Sequence, residues 1–349
     1  MRTRDGEIKV VISKSIDPHW NLALEDALFS RLAPEDRVLL LWSNRPSVII
    51  GRFQNPWVEC HLENMEREGV WMARRPSGGG AVFQDLGNTN VSVMSGAKAR
   101  GDLWGSRKGV NAFFLKALAH FGIRGRIGER NALWVEGRKV SGSAFRESAG
   151  KRLHHGTLLI RADLDLLARC LTPTRSKGMA SKAVSSVESP VANVGELNPD
   201  IDHESFCRAL IFELEGYGGR CRVLKACGIP EGPNRNEEFR SWEWRFGKTP
   251  PFEYTFPVSL PLGGDVRVRI SARRGKMEEI VVERREGPLL PGQAKLSESL
   301  TRRVWGKAYD PGAVAKAFET VISARASVGP RGSARSLDTF KEGDPIALF

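Results

Sequence analysis

Apolar side chains recur at helical spacing over residues 20–29, where Leu24, Ala27 and Leu28 share one face. They do so again over 111–121, where Phe114, Leu115 and Leu118 point inward. Residues 163–170 and 204–214 read as two further helices. Residues 38–42 and 47–50 are apolar runs of strand length, separated by a turn at Asn44, Arg45 and Pro46. Residues 131–135 read as a strand entering a turn at Glu136 and Gly137, with a return strand beginning near Lys139. Residues 154–160 open another buried strand. Residues 172–191 break both periods, because Ser, Lys and Pro dominate them. Loops of that length are uncommon without a function, so this one is expected to order over a bound ligand. Past residue 247 the character changes: Thr249, Pro250 and Pro251 read as a stiff linker. Residues 266–270 alternate strictly, turn at Arg274 to Lys276 and return over 277–282, a hairpin with one wet face. Residues 312–324 read as a helix, and 326–344, rich in Ser, Gly and Arg, as disordered. The pattern predicts mixed strands and helices in two folded parts, 1–247 and 248–325, with a flexible tail over 326–349.

Composition narrows the classes. With 349 residues, 41% of them apolar, and nine tryptophans, the chain can bury a sizeable core. No apolar run reaches the roughly 18 residues of a membrane helix, so no membrane span is expected. The first residues are too short for a leader, which suggests a cytoplasmic protein or a mitochondrial matrix form whose leader is absent. Five cysteines without C-x-x-C spacing read as reduced thiols. The net charge of +12 would attract nucleic acid, a membrane surface or an acidic protein. No helix-turn-helix, zinc-finger or aromatic-basic pattern accompanies it, so no nucleic-acid partner is expected.

Two stretches carry candidate chemistry. In the first, Arg74 and Arg75 precede Pro76, Ser77 and the triplet Gly78, Gly79, Gly80, followed by Ala81, Val82 and Phe83. Three glycines are costly inside a helix or strand, which makes this a loop whose amides can approach an anion. Taken alone it is equally a flexible turn. It is not a Walker loop: Trp242 stands where the Gly247-Lys248-Thr249 triplet would need its first glycine. In the second stretch, Lys139 stands beside Ser141, Gly142, Ser143 and Ala144. A lysine among small neighbours can lie across a pocket as a movable point charge, although most isolated lysines are simply solvated. No Ser-His-Asp or Cys-His signature is visible, so no covalent enzyme intermediate is expected.

Together these stretches resemble the lipoate-protein ligase family, in the superfamily it shares with biotin ligases. The matching blocks are residues 21–25, 51–60, 73–82, 85–88, 137–146, 154–159 and 241–247. The resemblance implies a class II synthetase-like α/β (α+β) catalytic domain with a mixed, mostly antiparallel sheet, plus a small α+β C-terminal domain. It implies an enzyme that activates lipoate with ATP and Mg²⁺ to lipoyl-AMP. That enzyme then passes the lipoyl group to one lysine of an apo lipoyl domain, on 2-oxoacid dehydrogenase E2 subunits or the glycine-cleavage carrier protein. Lys139 would be the catalytic residue. Arg75, Gly80, Ala81, Val82, Phe83, Asn88 and Lys139 would hold the nucleotide. Ser77, Gly78, Gly79, Gly80, Lys139, Arg146 and His155 would hold lipoate. No metal ligand is assigned, and a monomer is expected. Three positions depart from the family's habit: Gln84 replaces His, Ala132 replaces Asp, and Glu188 and Pro190 occupy a loop that usually carries basic residues. These bear on ATP activation, which leaves two alternatives: a lipoyltransferase using pre-formed lipoyl-AMP or a lipoylated carrier, and a non-catalytic lipoyl-binding scaffold.

Overall fold

The computed structural model describes residues 7–171, 178–186, 189–217, 220–225, 235–259, 265–284 and 293–310. The helix expected over 312–324, the tail, Lys177, Glu188 and Cys227 lie outside the described residues. Among the latter, Cys60, Cys170, Cys207 and Cys221 are free thiols, and no helix is long and apolar enough to cross a membrane.

Strand β1 (Glu7–Ile12) leads into α1 (Pro18–Ser30), whose start is fixed by Pro18 in the first turn and by Asp17, which accepts the His19 and Trp20 amides. Next come β2 (Arg37–Trp42), β3 (Ser47–Ile50), the short α2 (Pro56–Glu59) and α3 (Leu62–Arg67), β4 (Trp71–Arg74), β5 (Val82–Gln84) and β6 (Asn88–Ser95). Helix α4 (Asp102–Gly105) runs into α5 (Arg107–Ala119), which begins four residues earlier than its apolar stripe because Ser106 caps the Gly109 amide. Then follow β7 (Arg126–Ile127), β8 (Leu133–Val135), β9 (Arg138–Ser141), β10 (Ser143–Ser148), β11 (Lys151–Leu159), α6 (Leu164–Leu171) and β12 (Met179–Ser181). The chain continues through α7 (His203–Glu215), β13 (Arg220–Lys225), α8 (Asn236–Arg240), α9 (Trp242–Arg245), β14 (Phe252–Ser259), β15 (Asp265–Arg273), β16 (Lys276–Arg284) and α10 (Gln293–Val304).

Two compact units result, one of Met1–Pro173 and Val184–Arg245, the other of Thr174–Ala183 and Phe246–Phe349. The first is built on a six-stranded mixed sheet in the order β10-β11-β6-β2-β1-β13, with smaller sheets β4-β3-β5 and β7-β8-β9. Strands β13, β1 and β2 run parallel, while β2, β6, β11 and β10 are mutually antiparallel. Both faces of the large sheet are covered, and β2 shows how. Leu39 and Leu41 join the core beneath α5 and α7, among Phe113, Phe114, Phe206 and Leu210. Val38, Leu40 and Trp42 point the other way, into a second core with Leu22, Ala23 and Phe29 of α1 and Ile49 of β3. Each fully buried side chain of this kind contributes about 1.5–3 kcal/mol.

Helix α1 departs from the single apolar face the sequence suggests. Leu22 and Ala23 are buried with Leu24, Ala27 and Leu28 are only half-buried, and the polar Asn21, Glu25 and Asp26 are buried too. Those three side chains find hydrogen-bond partners inside the protein, which a hydrophobic periodicity does not report.

The second unit is an antiparallel sheet in the order β12-β14-β15-β16. Val266, Val268, Ile270 and Ala272 of β15 face its core. Arg274 and Gly275, at φ of 51° and 68°, make the tight hairpin turn the sequence predicts. Met179–Ser181, read as part of a polar loop, is an edge strand instead. Its backbone pairs with β14 along one edge, and a three-residue edge strand needs no apolar run.

Candidate active site

Both arginines that introduce the glycine loop are buried, and Arg75 holds the loop while Arg74 holds the turn beneath it. Arg74, fully buried, donates through Nη1 to the carbonyls of Gly51, Arg52 and Gln54 at 2.8–3.1 Å, and through Nε and Nη2 to Arg245 O. Arg75 donates to Ile49 O (2.9 Å), Ser77 Oγ (3.1 Å), Gly78 O (2.7 Å) and Gly80 O (2.7 Å). Burial lowers both guanidinium pKa values to about 10. Arg75 is thus mainly a brace that folds the glycine loop around itself. Gly51 lies beneath the loop, and a Cβ there would sit 2.2 Å from Gly79 O. Gly79 has φ of 91°, so neither position accepts a side chain without strain.

Ser77 anchors the loop to the sheet. Its Oγ lies 2.7 Å from His155 Nε2, and His155 Nδ1 lies 2.9 Å from Glu25 Oε1, which also accepts from Ser92 Oγ. Ser92 Oγ in turn accepts from Trp42 Nε1. The sequence shows no Ser-His-acid signature because the partners lie 78 and 130 residues apart. The string nonetheless has that form. It does not present a nucleophile: Ser77 is 2% exposed, is not among the cavity-lining residues and accepts from Arg75. Glu25, which the sequence reading left without a role, closes this network and orients His155.

A cavity of about 330 Å³ opens above these groups. Its closed end is formed by Leu22, Trp42, Ile49, Gln84 and Asn90, all buried. Its mouth carries the exposed Glu129, Arg130 and Ser186. Lys139 lies in the wall on β9, which Pro190 and Ala192 flank through backbone bonds to Lys139 N and O. The lysine stem runs over Gly142, within 3.7 Å of where a Cβ would be. Burial, and then the Arg130 charge, lower its pKa, and among the described residues nothing pairs with its ammonium. A cation held this way is poised for an anionic ligand.

The segment Val184–Ser186 covers the glycine loop. Gln54 Nε2 donates to Val184 O and Ser186 Oγ, and the Ser186 amide donates to the Glu59 carboxylate at 3.2 Å. Burial raises the Glu59 pKa. Ser186 Oγ accepts the Ala81 amide at 2.8 Å, so a hydroxyl occupies one of the N–H groups expected to meet phosphate.

Of the expected site residues, Arg75, Gly79, Gly80, Ala81, Val82, Lys139 and His155 line the cavity. Ser77, Gly78, Phe83, Asn88 and Arg146 do not. Phe83 is core, and Asn88 bonds Asn90. Arg146 pairs with the buried Asp26 at 2.5 Å and stacks over Phe29. Gln84 and Ala132 line the cavity, whereas Glu188 lies outside the described residues. Among the described residues no group of three His, Cys, Asp or Glu is placed to hold a metal.

Residues 17–215 match the family model described as the lipoyl protein ligase A/B catalytic domain. The fold is similar to P. falciparum LipL1, crystallised in complex with lipoate, at 25% identity over 92% of this chain and 98% of that one, with a TM-score of 0.58. It is also similar to the bi-partite lipoate protein ligase of Thermoplasma acidophilum, studied with its E2 lipoyl domain, at 24% identity over 69% of this chain and 96% of that one (TM-score 0.58). A lipoate-protein ligase A bound with ATP matches at 24% identity over 69% of this chain and 98% of that one, with a TM-score of 0.58.

Proposed function

Because the chain belongs to the lipoyl protein ligase A/B catalytic-domain family, we propose that it activates lipoate with ATP to lipoyl-AMP and transfers the lipoyl group to a lysine of apo lipoyl domains. The carrying observation is Lys139, a half-buried ammonium without a partner among the described residues, in the wall of the cavity that the glycine loop also lines. In the first step a lipoate carboxylate oxygen attacks the α-phosphorus of ATP and pyrophosphate leaves. In the second the neutral amine of the acceptor lysine attacks the acyl carbon, AMP leaves and a proton is released. Both steps develop negative charge on oxygens around one acyl phosphate, which a pre-placed cation stabilises without forming a bond. Mg²⁺ enters with ATP as part of the substrate, because it is held chiefly by phosphates and water. The closed end, where Leu22, Trp42 and Ile49 are apolar, suits the lipoyl chain, and the charged mouth suits the nucleotide and the acceptor domain.

A second reading, transfer from pre-formed lipoyl-AMP without ATP activation, is favoured by one feature. Ala132 presents a methyl group to the cavity, and among the described lining residues Glu129 is the one carboxylate. ATP–pyrophosphate exchange with free lipoate, beside transfer from synthetic lipoyl-AMP to an apo lipoyl domain, separates the two. Exchange with transfer is the expected result, and transfer alone would select the second reading. Lys139→Ala should slow transfer by roughly 10²–10³-fold, the usual effect of removing one preorganised electrostatic group. Wild-type transfer by that variant, or none by the intact protein, would refute the proposal.

A further inference from the structure

The second step of that chemistry meets an obstacle in the cavity's own charge. The acceptor lysine must attack as a neutral amine, yet near pH 7 its ammonium form prevails by about three powers of ten. That ammonium must also pass Arg130 and approach Lys139, two lining cations that no described residue pairs with. A group at the mouth has to attract it and take its proton. Among the described lining residues, His155 is the one imidazole, and both its nitrogens are engaged, Nε2 by Ser77 and Nδ1 by Glu25. The one carboxylate is Glu129, exposed, and no described residue bonds or pairs with it.

The chain holds Glu129 there through a strained turn. Glu129–Asn131 is the tip of the β7-β8 hairpin, closed by the Gly128 amide donating to Ala132 O at 2.8 Å. Arg130 and Asn131 follow each other in the left-handed region, at φ of 53° and 56°, which residues other than glycine adopt as single exceptions. Two side chains pin that conformation: Asn111 Nδ2 of α5 and Ser143 Oγ of β10 both donate to Asn131 O, at 2.9 and 3.2 Å. Gly128 lies so close to Trp134 that an added Cβ would be 2.4 Å from the ring, and Trp134 is the register partner of Lys139. One small sheet, β7-β8-β9, therefore carries both the reacting cation and the carboxylate at the mouth. Backbone strain that its surroundings over-determine in this way collects where a side chain has to be aimed.

We infer that Glu129 is a further catalytic residue, the base that receives the acceptor lysine at the cavity mouth. The inference rests on the proposed transfer to a lipoyl domain and adds the group that prepares its nucleophile. The incoming ammonium pairs with the Glu129 carboxylate and gives it one proton, which passes on to water. The lone pair of the neutral nitrogen forms the bond to the acyl carbon. The bond from that carbon to the phosphate oxygen breaks, and AMP leaves with the electron pair. A second proton leaves the nitrogen for water as the amide forms. Lys139 and Arg130 oppose entry of a third cation, but once Glu129 has drawn it in, the same two charges favour its deprotonation.

Hydroxylamine isolates this role, because it is uncharged at neutral pH and attacks an acyl phosphate without first losing a proton. The full chain is loaded with lipoyl-AMP and mixed, in single turnovers, with hydroxylamine or with a saturating apo lipoyl domain. Glu129→Gln should transfer to the domain about a hundredfold more slowly, the lower end of what a positioned base contributes. Its reaction with hydroxylamine should keep the wild-type rate, which also shows that the variant has folded. Transfer to the domain at the wild-type rate by Glu129→Gln would overturn the inference, as would an equal fall with both nucleophiles. Either result would leave the lipoylation reading standing. No transfer to the domain by the wild-type protein would overturn both.

Discussion

Replacing Arg75 by Met separates two roles that the sequence merges. If the guanidinium chiefly met substrate phosphate, its loss would weaken ligand binding and leave the fold intact. Its hydrogen bonds instead run to Ile49 O, Gly78 O and Gly80 O at 2.7–2.9 Å, with Ser77 Oγ at 3.1 Å. Methionine keeps most of the stem's packing but strips the buried Ile49 carbonyl and the half-buried Gly78 and Gly80 carbonyls of a charged donor. Hydrogen bonds to charged groups contribute about 1.5–3 kcal/mol each. Some of that returns as the loop opens to water, so the expected loss of stability is roughly 3–5 kcal/mol. For a unit of this size each kcal/mol shifts the melting temperature by about 2–4 °C, giving a fall on the order of 10 °C. Eight of the nine tryptophans lie in the first unit, Trp305 being the ninth, so fluorescence-detected melting reports on the right part of the molecule. A variant that melts within about 2 °C of wild type while losing lipoyl-AMP affinity would refute the bracing role.

Lys139 should set an alkaline limit on ligand binding. Burial and Arg130 lower its pKa, so lipoyl-AMP affinity should fall as pH rises through a value below the ordinary lysine range, and a Lys139→Met titration should be weaker and flat. His154 should make the fold acid-sensitive. Burial, aided by His155 and Arg107, pushes its pKa from 6.5 down to about 3. Above pH 6.5 both folded and unfolded states hold neutral imidazole; below it the unfolded chain takes up a proton that the native site refuses. Stability is then lost progressively down to about pH 3, and His154→Phe should flatten that slope in denaturant midpoints measured against pH. Arg146→Met should cost about 1–2 kcal/mol of stability through the buried Asp26 and leave lipoyl-AMP affinity unchanged; a selective loss of affinity would return Arg146 to the acyl site. Transfer to an acidic lipoyl domain should slow as salt rises, given the net charge of +12, and a flat response would remove the charge-steering argument.

The local layer of this protein was legible in its sequence. Alternation over 266–270 and the Arg274-Gly275 turn are the observed hairpin. The apolar run through Val38 and Trp42 is a central strand, and the glycine triplet is a loop beside a cavity that Lys139 also lines. Such features follow from backbone preference and burial period, which act between near neighbours and so are written along the chain. What the side chains do with one another is decided by register and packing across long separations. Arg75 turns its donors inward only because β3 and the glycine loop close around it. Glu25, Ser77 and His155 form one string only because α1, the loop and β11 converge. Arg146 was drawn into the acyl site by its place in a motif, yet it pairs with the buried Asp26, whose other oxygen Arg235 holds at 2.6 Å. Composition and period marked many of the strands, helices and loops, while Met179–Ser181, read as loop, became a strand through its pairing with β14. Only the tertiary structure could choose which buried polar groups found partners, because each choice depends on a residue far away in the chain.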